Sequence, residues 1–225
     1  MKNKGLFVTG TDTEVGKTHT SIVIAKHLTR LGTKVVPRKP AESGCEEIDG
    51  QLIPSDAVAL KEAAQYSGHL SEVCPFRFKE YASPRHAAKL ANQAFSTEML
   101  YEICIPKHQD DFLLVEGAGG FYSPLSEDGL NADLAIKLKL PVLLVAPDKI
   151  GTINQVLLNA EVIKNCGLEL KAVILNQLDK HDLGAGLNNL EELSSLLECP
   201  VYTQPHKLNL SDDELPETLV NLLLK

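Results

Sequence analysis

The sequence predicts an α/β protein with a doubly wound, mostly parallel β-sheet flanked by helices. Its apolar residues occur in short continuous runs rather than in alternation, at residues 6–8, 35–36, 112–115, 142–145 and 173–175. Parallel strands that are covered by helices on both faces have this pattern. Amphipathic segments lie between the runs, and this alternation of strand and helix favours parallel strands joined by right-handed crossovers.

The helices are predicted from apolar spacing. Apolar side chains recur at helical intervals over residues 24–31, 153–160 and 219–223. Gly32 follows the first segment, where a glycine favours the end of a helix. Pro216 precedes the last segment, and proline is tolerated in a first helical turn. With 225 residues and no evident linker, we expect one domain over residues 1–225.

Composition excludes several classes of function. The net charge of −8 and the pI near 5.4 argue against a nucleic-acid-binding protein, which normally carries a basic excess. No apolar run approaches the roughly 20 residues of a membrane-spanning helix, and residues 1–5 do not resemble a signal peptide. The five cysteines lack metal-like spacing and indicate reduced structural thiols. We expect a cytoplasmic protein that binds neither nucleic acid nor membrane.

The most specific local pattern is a phosphate-binding loop between the first apolar run and the first helix. The loop ends in Gly16-Lys17-Thr18, where backbone N–H groups and a helix N-terminus can converge on a polyanion. Lys17 would neutralise phosphate charge, and the Thr18 hydroxyl would help to coordinate Mg²⁺. Gly10 lies one position earlier than the standard pattern requires, and Thr11 takes the usual glycine position. The preceding strand and following helix nevertheless favour a P-loop nucleotide-binding protein.

Three further segments carry polar side chains that could complete a site. Glu116 ends the apolar run 112–115 and is followed by the glycine-rich residues 117–120, which predict a turn. An acidic residue at the end of a neighbouring strand holds the metal in P-loop proteins. Lys39 follows the second run, beside the loop according to the predicted topology. Asp56 stands at a predicted helix start, where its carboxylate would either cap the helix or contact the metal.

The acidic residues inside the loop have two open interpretations. Asp12 and Glu14 would repel phosphate if they faced it. Either both are solvated loop carboxylates, or at least one of them faces an amine of the substrate.

Taken in order, these motifs resemble those of the dethiobiotin synthetase family, the ATP-dependent cyclo-ligases of biotin biosynthesis. The segments that carry the resemblance are residues 10–18, 39–40, 43–44, 55–56, 115–120, 124–125 and 149–154 with Asn176. They occur in family-like order from residue 5 to about residue 207.

The resemblance implies a homodimer that converts 7,8-diaminopelargonic acid, CO₂ and MgATP into dethiobiotin, ADP and phosphate. One amine would take up CO₂ as a carbamate, and the carbamate would attack the γ-phosphate to form a carbamic–phosphoric anhydride. The second amine would then close the ring and expel phosphate. Which amine reacts first is left open.

The same resemblance assigns roles to individual positions. Lys17 and Lys39 would be the catalytic residues, and Thr18, Asp56 and Glu116 would hold Mg²⁺. The nucleotide would be bound by Glu14, Val15, Gly16, Lys17, Thr18, His19, Asp56, Glu116, Gly117, Ala118, Gly119, Asn176, Gln177, Pro205, His206 and Lys207. The substrate would be bound by Thr13, Lys39, Ser43, Gly151, Thr152, Ile153 and Asn154, with the last four receiving the substrate carboxylate from the partner subunit. A helix that opens at Gly151 offers free N–H groups suited to a carboxylate, although it could also be an ordinary capped helix.

Two departures and three alternatives accompany this hypothesis. Glu42 is an unexpected charge beside Ser43, and Arg85 stands where a histidine-like residue is expected. The first alternative is an ATPase switch of the chromosome-partitioning type, which would need a second lysine early in the loop, where this chain has Asp12. A cobyrinic-acid-type amidotransferase would need a glutaminase domain, for which 225 residues leave no space. A non-catalytic ATP-binding regulator would bind nucleotide without turning over a small molecule.

Overall fold

A six-stranded parallel sheet forms the centre of the molecule in a computed structural model, which describes residues 4–108, 110–177, 187–205 and 215–223. The strands of this sheet are β1 (Gly5–Gly10), β2 (Val35–Arg38), β7 (Phe112–Gly120), β8 (Val142–Pro147), β9 (Leu170–Asn176) and β10 (Val201–Gln204). Their order is β10-β9-β8-β1-β7-β2, with every pairing parallel. The predicted fold class is therefore confirmed.

Two small ribbons lie outside this sheet. They pair β3 (Ala41–Glu42) with β6 (Phe76–Arg77) in parallel, and β4 (Glu46–Ile48) with β5 (Gln51–Ile53) in antiparallel orientation. Both ribbons belong to the long connection between β2 and β7.

Helices cover the sheet between the strands. They are α1 (Lys17–Arg30), α2 (Ser55–Ala63), α3 (Leu70–Val73), α4 (Pro84–Leu90), α5 (Thr97–Cys104), α6 (Asn131–Leu138), α7 (Thr152–Asn165), α8 (Asn189–Leu196) and α9 (Glu217–Leu223). The three helices predicted from apolar spacing are α1, α7 and α9. Among the residues described, no helix is long and apolar enough to cross a membrane.

The apolar core lies on both faces of the sheet because neighbouring side chains of a strand point in opposite directions. Phe7 of β1 packs in one cluster with Leu113 of β7. Leu6 and Val8 pack in the opposite cluster with Leu114. This two-sided burial explains why the strands have continuous apolar runs. The five cysteines are free; Cys45, Cys74 and Cys104 are buried.

The helix predicted before Gly32 is α1, which ends at Arg30; Leu31 caps it, and Gly32 follows with φ of +80° at the predicted stop. Two details of the prediction were wrong. The glycine-rich residues 117–120 were predicted as a turn, whereas β7 continues to Gly120, which pairs with Gly10 of β1. The edge strand β10 was missed, because its second and third residues are polar or amphipathic and only half-buried.

The topology creates a crevice at the carboxyl ends of the central strands. From β1 the chain continues to β2 on one side of the sheet, and later strands extend the other side. Open α/β sheets bind ligands outside the carboxyl ends of their strands at such a reversal. The crevice is therefore the place where the predicted site residues should meet.

Candidate active site

The loop between β1 and α1 needs glycine at both of its ends. A Cβ on Gly10 would lie 2.6 Å from Val15 Cγ2 and 2.9 Å from the Asp12 carbonyl oxygen. Gly16 has φ of +93°, and a Cβ there would lie 1.8 Å from Asn176 Nδ2. Gly10 is therefore required for close packing of the loop although it lies one position early in the motif. The loop delivers Lys17 as the first residue of α1.

Lys17 points back into its own loop. Its Nζ donates to the Asp12 carbonyl oxygen at 2.7 Å, and the side chain is buried. Burial, together with the nearby positive charge of Lys39, lowers the pKa of Lys17 to about 8. An anionic ligand at this position would favour the charged form of the lysine.

A buried ion cluster occupies the floor of the crevice. Lys39 Nζ lies 2.5 Å from Glu116 Oε1 and 2.8 Å from Asp56 Oδ2. Thr18 Oγ1 donates to the same Glu116 oxygen at 2.8 Å. Lys39 and Glu116 are almost inaccessible to solvent, whereas about a third of the Asp56 side chain is exposed. The structure therefore brings together residues from α1, β7, α2 and the loop after β2.

The charges of this cluster are mutually compensated. Burial acts to lower the pKa of Lys39, but the carboxylates of Glu116 and Asp56 outweigh it and raise that pKa well above its usual range. Burial acts to raise the pKa of Asp56, but the Lys39 ammonium outweighs it and the pKa is lowered. Lys39 is therefore a permanent cation between two carboxylates.

The same cluster has the donor atoms that suit a hard divalent cation. Glu116 Oε2 is completely buried and has no hydrogen-bond partner among the residues described. Such an orphaned acceptor is costly unless something else satisfies it. The Thr18 hydroxyl and the two carboxylates supply oxygen ligands of the kind that Mg²⁺ prefers. These three residues therefore fit a magnesium ion.

Asp56 does not cap α2. Its carboxylate contacts Lys39, while the first turn of the helix is capped by the buried carboxylate of Glu42. The alternative that Asp56 is only a capping residue is therefore excluded. Glu42, the unexpected charge in the sequence, has a defined partner.

A cavity of about 580 Å³ opens above the ion cluster. Ser43 lies on its wall and donates to the Ala82 carbonyl oxygen at 2.6 Å. Glu14 has φ of +55° and accepts a hydrogen bond from the exposed Tyr81 hydroxyl at 2.9 Å. The predicted site residues that line this cavity are Thr13, Glu14, Gly16, Lys17, Thr18, Lys39, Ser43, Asp56, Ala118 and Gly119. Asp12, by contrast, turns its carboxylate toward the Thr13 backbone N–H at 2.7 Å.

The end of β7 is held in place by Asn131 at the start of α6. Asn131 is fully buried; its Nδ2 donates to the carbonyl oxygens of Ala118, Gly120 and Ser123, and its Oδ1 accepts from the Ala118 N–H. A Cβ on Gly117 would lie 2.7 Å from Asn131 Oδ1. Sequence analysis missed Asn131, and nothing local in the chain signals it.

A second group of predicted residues lies behind the phosphate loop. Asn176 is buried and donates from Nδ2 to the Val15 carbonyl oxygen at 3.1 Å. The backbone N–H of Gln177 donates to the Gln204 carbonyl oxygen at 2.9 Å, next to the exposed Pro205. His19 is half-buried in α1. His206 and Lys207 lie outside the described residues.

The four residues predicted to receive the substrate carboxylate do not line the 580 Å³ cavity. Gly151 has φ of +89° and precedes α7, without a side-chain cap. The Thr152 hydroxyl is buried and donates to the Pro147 carbonyl oxygen at 2.7 Å. Ile153 is half-buried and Asn154 is exposed. Within the part of the chain that is described, this group is separate from the ion cluster.

Arg85 braces the segment that follows β7. Its Nε donates to the Ser126 carbonyl oxygen at 2.6 Å, and its Nη2 donates to the Gly129 carbonyl oxygen at 3.2 Å. Both contacts are to backbone oxygens of the loop after β7, so the arginine at this position has a structural role in holding that loop. The sequence flags this position only as a departure.

The fold and the site together define a nucleotide-binding protein of the phosphate-loop α/β class. The chain is similar in structure to the signal recognition particle receptor FtsY from Elizabethkingia anophelis, with a TM-score of 0.50 and 17% identity; the match covers all of this chain and 66% of that one. At this identity the likeness supports the fold alone.

Relatives of known name identify the family. A family model described as an AAA domain matches residues 4–206. The chain is 37% identical to the ATP-dependent dethiobiotin synthetase BioD of Ruthia magnifica, over 80% of this chain and 83% of that protein. It is also 37% identical to the BioD protein of Rhodopirellula baltica, over 87% and 81% respectively, and 31% identical to that of Clostridium kluyveri, over 94% and 90%. The chain belongs to the ATP-dependent dethiobiotin synthetase family, whose members are ligases.

Proposed function

We propose that this chain catalyses the ATP-dependent ring closure of 7,8-diaminopelargonic acid with CO₂, giving dethiobiotin, ADP and phosphate. The observation that carries the proposal is the convergence of Lys17, Thr18, Lys39, Asp56 and Glu116 at one crevice. The names of relatives that are 31–37% identical over most of the chain support the choice of substrate. We place the reaction in the cytoplasm and in one domain.

Lys17 and Lys39 are proposed as the catalytic residues because phosphoryl transfer depends mainly on positioning and charge neutralisation. Lys17 stands at the start of α1, where backbone N–H groups also favour phosphate. When phosphate arrives, the Lys17 ammonium exchanges the Asp12 carbonyl oxygen for a phosphate oxygen. Lys39 supplies a second positive charge toward the carbamate and the transferred phosphoryl group.

Thr18, Asp56 and Glu116 are proposed to hold Mg²⁺, which would neutralise charge on the ATP phosphates when it is bound. The buried, unpartnered Oε2 of Glu116 supports this assignment. Lys39 lies between the two carboxylates and offsets part of their negative charge in this poorly solvated crevice before the metal binds.

The proposed bond changes balance without a further reactant. One substrate amine bonds to the CO₂ carbon and releases a proton, which gives a carbamate. A carbamate oxygen then bonds to the γ-phosphorus as the bond to ADP breaks, which gives a carbamic–phosphoric anhydride. The second amine attacks the same carbon, loses a proton and expels phosphate as the ring closes. Thr13 and Ser43 lie on the cavity wall, where they can orient the diamine.

The remaining residues assigned to the nucleotide form its two flanks. Glu14, Val15, Gly16 and His19 belong to the loop and the first turn of α1, and Gly117 to Gly119 belong to the end of β7. Asn176 supports the loop from behind, so we propose that it, Gln177 and the segment at Pro205 face the base. Glu14 lines the cavity, and its carboxylate, which accepts a hydrogen bond from Tyr81, is proposed to contact a substrate amine.

A homodimer would account for the separate position of residues 151–154. The N-terminal turn of α7 offers backbone N–H groups without a side-chain cap, which suits a substrate carboxylate. Ile150 is 85% exposed beside this turn, and Leu158 and Tyr122 are exposed around a second groove of about 410 Å³. Exposed apolar side chains of this kind favour contact with another chain. We propose that a second copy covers them and that each copy contributes Gly151, Thr152, Ile153 and Asn154 to its partner's cavity.

The direct test is product formation from the diamine, bicarbonate and MgATP, followed by mass spectrometry. We expect dethiobiotin and ADP in equal amounts, with no ATP hydrolysis when either the diamine or bicarbonate is omitted. Lys17→Ala and Thr18→Val should abolish turnover while the protein remains folded by circular dichroism. Near-normal turnover in either variant, or ATP hydrolysis independent of the diamine, would contradict the proposal.

ATP hydrolysis that does not depend on the diamine is the result expected of an ATPase switch. Such a switch also predicts dimerisation only in the presence of nucleotide. Sedimentation of the nucleotide-free protein therefore separates the two functions, since the synthetase proposal expects a dimer without ATP.

A further inference from the structure

Glu42 is a buried carboxylate that the reaction scheme does not use. It ends β3, and both of its side-chain oxygens are engaged. Oε1 accepts from the Asp56 backbone N–H at 3.0 Å and from the Ser55 hydroxyl at 3.4 Å. Oε2 accepts from the Ala57 backbone N–H at 3.0 Å. The carboxylate therefore grips the first turn of α2 from another element of the fold.

The helix has no nearer cap. Pro54 precedes α2, and a proline side chain cannot accept a hydrogen bond from the first turn. A local Ser, Thr, Asp or Asn at that position would satisfy the helix without the burial of a distant carboxylate. Here the cap comes instead from Glu42, a buried side chain of another element, which bonds to the backbone N–H groups of Asp56 and Ala57.

Glu42 lies close in sequence to two predicted site residues, so its contact with α2 also affects their position. Lys39 lies three residues before it, and Ser43 follows it directly. The Glu42 backbone oxygen is itself fixed by the Phe78 N–H at 2.9 Å, across the ribbon of β3 and β6. The backbone that carries Lys39 and Ser43 is therefore tied through one side chain to the backbone of Asp56.

We propose that Glu42 is a positioning residue that holds Asp56 at the distance required to complete the oxygen shell of Mg²⁺. The inference rests on the proposed function for the identity of the metal site. It extends that function because both carboxylate oxygens of Glu42 are bonded to the first turn of α2, so its proposed role is exerted through Asp56. Partners that orient a metal ligand typically change metal affinity about 10–100-fold when they are removed.

Glu42→Gln tests the inference with little change in volume. Glutamine offers one acceptor oxygen and one NH₂ group, so one of the two backbone N–H groups faces a donor instead of an acceptor. The measurement is ADP binding by calorimetry, once with saturating Mg²⁺ and once with EDTA. We expect the Mg²⁺-dependent gain in ADP affinity to fall about 10-fold, while the affinity in EDTA stays close to that of the unchanged protein.

Two control variants separate positioning from general damage. Ser55→Ala removes only the 3.4 Å hydroxyl contact, and Glu46→Gln removes an exposed carboxylate from the nearby strand β4. Both should keep the full Mg²⁺-dependent gain. Glu42→Asp keeps the charge but withdraws it by one methylene, so it should give an intermediate loss. It also provides a measurement if Glu42→Gln does not fold.

The outcomes distinguish this inference from the proposed function. Lowered thermal stability with an unchanged Mg²⁺-dependent gain would reduce Glu42 to a structural cap and overturn the inference, even if dethiobiotin is formed. If Mg²⁺ does not change the ADP affinity of the protein without substitutions, the metal assignment is wrong and the inference fails with it. If Glu42→Gln loses the Mg²⁺-dependent gain in ADP affinity but keeps its affinity in EDTA, the result supports Glu42 as a positioning residue, whatever product the enzyme makes.

Discussion

Replacement of Lys39 by methionine removes the only positive charge in contact with Glu116 among the residues described. Methionine keeps most of the side-chain volume, so the change isolates charge and hydrogen bonding. Lys39 Nζ lies 2.5 Å from Glu116 and 2.8 Å from Asp56, and the Glu116 side chain has no solvent exposure. Loss of one partner from a buried ion pair costs about 3–5 kcal/mol.

The lower end of that range applies here, because about a third of the Asp56 side chain is exposed and water can solvate it. A loss of about 3 kcal/mol corresponds to a melting temperature about 6–12 °C lower for a chain of this length. Mg²⁺ should restore a large part of the loss, because the cation can take the place of the ammonium between the two carboxylates. Mg²⁺ should stabilise the protein without substitutions much less, since the Lys39 ammonium already lies between the carboxylates of Glu116 and Asp56.

The assay is thermal unfolding of the nucleotide-free protein by circular dichroism, with and without Mg²⁺. Lys79→Met is the matched control, because Lys79 pairs with Glu47 at 2.8 Å but both side chains are largely exposed. An exposed ion pair is well solvated and contributes little to stability, so the control should melt near the protein without substitutions in both conditions. If Lys39→Met melts with the control, or if Mg²⁺ stabilises all three proteins equally, the account of the ion cluster is wrong.

Three further predictions address the loop and its supports. The pKa of Lys17 is about 8 in the folded protein, against 10.5 for an ordinary lysine, so the unfolded chain binds more protons between these two pH values. The nucleotide-free protein should therefore become more stable as pH rises through that window, and Lys17→Met should remove this gain in urea titrations. Nucleotide binding near pH 8 should also take up a proton, measured by calorimetry in two buffers of different ionisation enthalpy, and no uptake would contradict the shift. Gly16→Ala should abolish ADP binding, because its Cβ would lie 1.8 Å from Asn176 Nδ2 at a φ of +93°, and tight binding would show that the loop has another arrangement. Asn131→Leu should lower the free energy of unfolding by about 1–3 kcal/mol, because it leaves partly buried backbone groups at the end of β7 without the amide partner. A change within error would mean that water replaces the amide.

The central sheet was predictable where burial dominates the sequence. Strands with both faces covered consist of continuous apolar residues, which is why the runs at 112–115 and 142–145 marked β7 and β8. The edge strand β10 buries only Val201 and Gln204, so it has no such run. The extension of β7 to Gly120 depends on pairing with Gly10, a contact between residues far apart in the chain.

The candidate site likewise contains residues that local spacing identifies and residues that only tertiary contacts identify. The loop at Gly16 and Lys17 is encoded by neighbouring residues, so its glycine, lysine and hydroxyl spacing identifies it. Glu42 and Asn131 act through partners 8 to 15 residues away, in segments whose packing no local pattern specifies. In the sequence, Glu42 was noted only as an unexpected charge, and its contact with the start of α2 could not be predicted.

The central claim is that the residues of the ion cluster surround the magnesium and phosphates of bound ATP. A crystal structure with Mg²⁺, a non-hydrolysable ATP analogue and the diamine tests it most directly. We predict a metal ion between Thr18, Asp56 and Glu116, with Lys17 and Lys39 Nζ directed at phosphate oxygens or the substrate. An analogue bound with its phosphates outside this crevice, while Lys39 still bridges the two carboxylates, would contradict the account.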